Sequence, residues 1–229
     1  MHRDDYSYLF KTAETITPLL KGEVGSVDQA DIHLQQDNQD VMKQLYQYWK
    51  VEHPEAGSAY WLTQSWIMLL WQPIQLAFIS VYTTQAVPKL RHIGQYYDNG
   101  LVAGYILPKE PMVTGELTQL VAYAGQELSI LFNGSHQQFS AIARFTSRLA
   151  EQLLADLILI NLLKLQKHKP TIDIYQQAQR WFSALDMPAQ YLDSLYKQPN
   201  DKSWSVKRVS CCMYYRRSDG DFCLACPNK

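Results

Sequence analysis

At 229 residues and 47% hydrophobic content, the chain is long enough to bury a sizeable core, as one domain or one domain with a small appendage. Its 21 basic and 22 acidic residues leave a formal net charge of −1, without the concentrated basic face that phosphate binding needs, which excludes nucleic acid as an expected partner. The opening MHRDDYSYLF has charges but no apolar stretch followed by a small-residue cleavage site, so a cytoplasmic, disulfide-poor protein is expected.

Apolar spacing predicts a first helix over 6–20, closing near Gly22 and Gly25. A polar linker, QADIHLQQDNQD, leads to a second helix over 41–51 with Val41, Leu45, Tyr48 and Trp49 on one side, broken by His53-Pro54 and Gly57. The next helix runs over 58–81 and is interrupted or kinked at Pro73, because proline lacks a backbone donor and disfavours α geometry at Gln72. Its most apolar part, 66–82, contains Gln72, Pro73 and Gln75 and falls short of the roughly twenty apolar residues of a membrane span. It reads as a core helix, and no transmembrane segment is predicted.

The period changes over 90–107, where Asp98-Asn99-Gly100 separates HIGQYY from LVAGYIL and predicts an antiparallel hairpin. An isolated hairpin is marginal, so it is expected to pack on helices or to join further strands. Thr114 is a candidate cap for a helix with Leu117, Leu120, Val121, Ala124, Leu128 and Leu131 on one stripe, ending at Asn133-Gly134-Ser135. A longer helix, the expected centre of the core, follows over 139–167 up to Pro170, with Ile142, Phe145, Leu149, Leu153, Leu157 and Ile160 recurring at helical spacing. Two shorter helices are predicted over 172–185 and 188–196, and 198–202 reads as a polar linker. The fold class is therefore α+β, a helix-dominated globular domain with an antiparallel hairpin or small sheet and a distinct C-terminal segment.

That segment holds every cysteine of the chain: Cys211, Cys212, Cys223 and Cys226, in SCCMYYRRSDGDFCLACP. Cysteine used for packing is scattered through apolar segments, so this concentration marks a metal site. In the spacing C-C-x10-C-x2-C, the pair Cys223 and Cys226 can converge on one metal. The adjacent Cys211 and Cys212 depart from the two-to-four-residue spacing of zinc ribbons and suit a binuclear iron–sulfur cluster more readily. Structural zinc stays open on the spacing alone. Asp219-Gly220 supplies a turn able to adopt positive φ, and Pro227 stops the chain behind the last ligand.

Ser210-Cys211-Cys212, Tyr215-Arg216, Gly220 and Cys223-x-x-Cys226-Pro227 resemble the C-terminal signature of the FhuF-like siderophore ferric iron reductases. The region 66–82, with Trp71-Gln72-Pro73, is similar to the aromatic helical region of that family. The resemblance implies a [2Fe–2S] cluster on Cys211, Cys212, Cys223 and Cys226 in a cytosolic oxidoreductase acting on ferric siderophores. Residues 1–200 would form a mainly helical substrate platform and 201–229 the cluster-binding segment. Hydroxamate siderophores are the expected substrate class.

The absence of G-x-G-x-x-G and of an alternating strand–helix series argues against a nicotinamide or flavin held in the chain, so electrons would come from a ferredoxin or flavoprotein reductase. Ferric ion is held by hard oxygen donors and ferrous ion far less tightly, so reduction amounts to release. Plant-type clusters near about −400 mV are reducing enough for the weaker ferric chelates. Lys207, Arg208, Arg216 and Arg217 are candidates for offsetting cluster charge or docking a carrier, against a plain solvated face. Tyr214 and Tyr215 are candidates for packing or hydrogen bonding beside the sulfurs. Trp61, Trp66, Trp71 and Phe78 suit core packing better than a siderophore pocket, and the six histidines show no ligand spacing. Two other readings compete: a zinc-stabilised helical scaffold for a protein partner, and a simple iron–sulfur electron carrier.

Overall fold

The computed structural model describes residues 6–200 and 203–229. It is the expected helix-dominated α+β arrangement, with α-helices around small sheets. Helix α1 (Tyr6–Ile16) stops short of residue 20, because Pro18 forces Thr17 into extended backbone (φ −161°, ψ 138°) and restarts the chain as a single 3-10 turn. Strand β1 (Gly22–Val24) follows. The stretch read as a polar linker is in fact built into the body. Ile32 bridges Gln95. The buried Asn38 accepts from the His33 N–H (3.1 Å) and donates to the His33 carbonyl (2.9 Å). Helix α2 (Gln39–Glu52) then buries Met42 and Leu45.

Helix α3 (Gly57–Ile79), rather than the predicted 139–167 helix, is the hub, touching α1, α2, α4 (Leu117–Ile142), α5 (Ser147–His168) and the sheet. It runs unbroken through Pro73, so the expected interruption does not occur. The missing Pro73 N–H would leave the Leu69 carbonyl without its helical partner inside the core. The buried Gln95 side chain fills that role, donating from Nε2 to the Leu69 oxygen (3.1 Å) while its Oε1 accepts from Gln72 Nε2 (3.1 Å). The helical stretch Pro54–Thr84 is long and apolar enough to cross a membrane, yet 72% of its apolar window is buried within the protein. Trp66 is fully buried and donates to the Ala150 carbonyl, Trp71 donates to the Val102 carbonyl, and Phe78 stacks on Trp181, so these aromatics pack the core as expected.

The predicted hairpin is present as β3 (Gly94–Asp98) and β4 (Leu101–Leu107), joined by Asn99 and Gly100 at φ 44° and 82°. Strand β1 adds to the other side of β4 in parallel. Strands β2 (Ala86–Val87) and β5 (Val113–Thr114) form a separate antiparallel pair. Thr114 therefore lies in a strand, and the cap of α4 is Glu116 in a capping box with Gln119.

Helix α4 continues past the stop expected at Asn133-Gly134-Ser135. Gly134 serves close packing, since a Cβ there would lie 2.8 Å from Leu34 Cδ2. The break comes at Ala143–Thr146, where Phe145 turns into the core against Trp66 and Phe139, so Phe139 and Ile142 belong to α4. Helix α5 then starts behind the Thr146 cap. Helix α6 (Ile174–Ala184) falls within its predicted range. The helix predicted over 188–196 is a 3-10 turn, Ala189–Ser194, followed by β6 (Leu195–Lys197), because 195–197 pair with β7 (Trp204–Val206). The linker expected over 198–202 is the loop of that hairpin, its residues 201 and 202 lying outside the described residues.

Gln95→Leu should destabilise the fold by about 2 kcal/mol or more, because it strands the Leu69 carbonyl and the Gln72 amide in the core. Urea unfolding reads this as a lower midpoint at unchanged slope; an unmoved midpoint would mean that the carbonyl is satisfied without Gln95.

Candidate metal centre

Beyond β7 the chain runs without regular strands, and two helices hold it in place. The first is α5, through Asp156, a fully buried carboxylate within the apolar run LLADLIL. It accepts from Arg208 Nε (3.1 Å), from the backbone N–H groups of Val209 and Ser210 (3.0 Å each), and from the Ser210 hydroxyl. Charge-assisted bonds of this kind are stronger than neutral ones, and together they saturate the carboxylate. On its other side the Arg208 N–H donates to the Ala225 carbonyl (3.4 Å), tying the clamp to the turn between Cys223 and Cys226.

Helix α3 and the turn before it give the second hold. Gln64 Nε2 donates to the Cys212 carbonyl (2.9 Å), and Arg217 donates to the Tyr60 hydroxyl (3.5 Å). The Ser218 N–H donates to Glu55 (3.0 Å), which keeps that carboxyl below the usual range.

The local turns explain how the cysteines meet. Met213 adopts left-handed backbone (φ 56°) directly after the cysteine pair, which folds its own N–H back onto Cys211 Sγ (3.3 Å). The Cys226 N–H donates to the Cys223 carbonyl (3.0 Å), closing the C-x-x-C turn. Gly220 is not among the positive-φ glycines; it is required because a Cβ would collide with the Tyr214 carbonyl.

Cys211 and Cys226 are buried, with sulfurs 3.9 Å apart. A disulfide would require about 2.05 Å. Two thiolates on one tetrahedral metal, each about 2.3 Å from it, stand about 3.8 Å apart, so this pair has metal-sharing separation. Cys212 and Cys223 are half-buried, and both interact with the Arg208 side chain. Among the described residues no three of His, Cys, Asp and Glu converge on a single-ion site. One pair of sulfurs, Cys211 and Cys226, is thus close enough to share a metal, while Cys212 and Cys223 lie nearer the surface. Burial pushes the Cys211 thiol above its ordinary value, opposed by the Met213 N–H and reinforced by Cys226. Burial also raises the Cys223 thiol, with Cys212 adding and Arg208 opposing. An incoming metal would displace these protons.

The remaining candidates sit around this core. Tyr215 stacks on Phe222 with ring centroids 4.6 Å apart. Arg216 is exposed on the 3-10 turn Tyr214–Arg216. Arg217 is ion-paired with Asp219, bonds Tyr60 and lies over the Tyr214 ring, so it fastens the loop. Asp156 escaped sequence reasoning, although a lone acid inside an apolar helical run was a readable signal; Gln64 and Glu55 carried none.

Asp156→Ala leaves Arg208 as a buried charge without its partner, at an expected cost of about 3–5 kcal/mol. Trypsin should then cut after Arg208 or Arg216 far sooner than in the wild type. Equal resistance would mean that the α3 contacts alone hold the tail.

Residues 208–227 match the family model described as the FhuF 2Fe-2S C-terminal domain. No solved structure matches the chain. The matched segment begins at the residue that Asp156 clamps and ends just behind the last cysteine. The C-terminal segment of this protein is therefore a FhuF-type 2Fe-2S domain, and a [2Fe–2S] cluster is its cofactor.

Proposed function

We propose that the protein is a cytoplasmic ferric-siderophore reductase in which Cys211, Cys212, Cys223 and Cys226 hold the cluster. Cys211 and Cys226, with sulfurs 3.9 Å apart, would share one iron in place of the Cys223 and Cys226 pair that the spacing suggested, which leaves Cys212 and Cys223 for the other. Adjacent residues project in different directions, so a split of Cys211 from Cys212 is sterically natural. Residues 1–200 would serve as platform and 201–229 as the cluster-bearing segment.

The observation that carries this reading is the position of the centre. Cys212 and Cys223 lie half-buried at the surface, and Tyr214, Phe222 and Leu224 stand exposed around them, Leu224 at 96%. A bulky chelate can approach such an edge without entering a pocket, and one-electron transfer needs no bond to the chelated iron. A [2Fe–2S] cluster supplies one electron at a time, which matches the reduction of Fe³⁺ to Fe²⁺. The electron would come from a reduced ferredoxin or flavoprotein reductase and end on the ferric hydroxamate, whose hard oxygen ligands then hold the ferrous ion weakly. The chain's own part is to fix the sulfurs: Asp156 anchors 208–210, Gln64 holds the Cys212 carbonyl, and the Met213 N–H favours the Cys211 thiolate. A simple electron carrier would not require so large a body.

Anaerobically purified protein should be red-brown with about two irons per chain, bleach with dithionite and regain colour with a ferric hydroxamate. Colourless protein with zinc and no iron, after failed reconstitution, would replace this reading with the scaffold one. Cys211→Ser and Cys226→Ser, at the buried pair, should lose most of the bound iron, measured against wild type by iron assay. Full iron retention in both would remove these two cysteines as ligands.

A further inference from the structure

Arg208 is 8% exposed, and its position is fixed from two directions. Its Nε donates to the fully buried Asp156 (3.1 Å), and its backbone N–H donates to Ala225, within the C-x-x-C turn. The arginine fork carries five donors, of which Asp156 takes one at Nε. Through the Ala225 contact Arg208 lies against the turn that carries Cys223 and Cys226, and its positive charge acts on Cys212 and Cys223, the two less buried cysteines. The other basic residues of the segment are disposed differently: Lys207 and Arg216 are exposed, and Arg217 is paired with Asp219.

We infer that Arg208 sets the reduction potential of the centre, its buried cation, carried by a residue tied to the C-x-x-C turn, favouring the reduced state. This rests on the reading that the four cysteines hold the cluster. Reduction adds one negative charge to a thiolate-ligated centre, and hydrogen bonds to the sulfurs and nearby charge are established levers on potential. Arg208 itself is buried, so its charge is weakly screened. Asp156 pairs with the guanidinium and carries the opposite charge. The two partners therefore have opposite effects: loss of Arg208 exposes the sulfurs to the carboxylate, and loss of the Asp156 charge leaves the cation uncompensated.

The test is an electron-paramagnetic-resonance redox titration of the cluster-loaded full chain, with iron content and visible spectrum recorded for each variant. Arg208→Gln should cut the reduced-to-oxidised ratio at the wild-type midpoint about tenfold, which is about 59 mV for a one-electron couple. Asp156→Asn should move the midpoint the other way, and Arg208→Lys, which keeps the charge without the fork, should fall between wild type and Arg208→Gln. Shifts of opposite sign are the electrostatic signature, since a merely loosened segment would disturb all variants alike. If Arg208→Gln takes up no cluster, the signs for Arg208→Lys and Asp156→Asn decide. Variants with wild-type iron content and unmoved midpoints would overturn the inference and leave the cluster reading intact. A wild-type protein without cluster would instead overturn the reading on which it rests.

Discussion

The buried carboxylate of Asp156 is the constraint on which the C-terminal segment depends. A charge in the middle of an apolar helix costs several kcal/mol of lost hydration, offset only when its oxygens are fully engaged. Here the engagement comes from three consecutive residues, Arg208, Val209 and Ser210, through a guanidinium, two backbone N–H groups and a hydroxyl. That arrangement fixes the chain in register immediately before Cys211. The first cysteine pair is thereby located relative to α5, although it lies in a segment with little regular structure of its own.

The same economy appears in the hub helix. Proline at position 73 removes a backbone donor from the most buried helix of the protein, and Gln95 from the neighbouring strand supplies the replacement. The hairpin is thus coupled to α3 by a polar contact inside the core, in addition to apolar packing by Val102, Tyr105 and Leu107. Because α3 continues unbroken, its N-terminal turns present Tyr60 and Gln64 to the cysteine loop while it packs on α5. The centre lies where these two helices meet the tail.

The resulting site has two unlike sides. Cys211 and Cys226 lie within, close enough to share a metal, and the Met213 amide points at one of their sulfurs. Cys212 and Cys223 lie toward the surface beside a buried cation and exposed aromatic and apolar side chains. One side secures attachment to the body, and the other lies open at the surface.

The sequence alone determined the helix-dominated class, the hairpin at Asp98-Asn99-Gly100 and the nature of the C-terminal centre. These rest on local properties: apolar period, the left-handed tolerance of Asn-Gly, and thiols concentrated at a chelating spacing. Tertiary structure decided the rest. Gly134 does not end α4, Pro73 does not break α3, and residues 195–197 form a strand, because in each case a partner distant in sequence, Leu34, Gln95 or Trp204 to Val206, satisfies what the local sequence leaves open. For the same reason only the fold could select Arg208 from four basic residues near the cysteines, since burial against Asp156, 52 positions away along the chain, is invisible to local pattern.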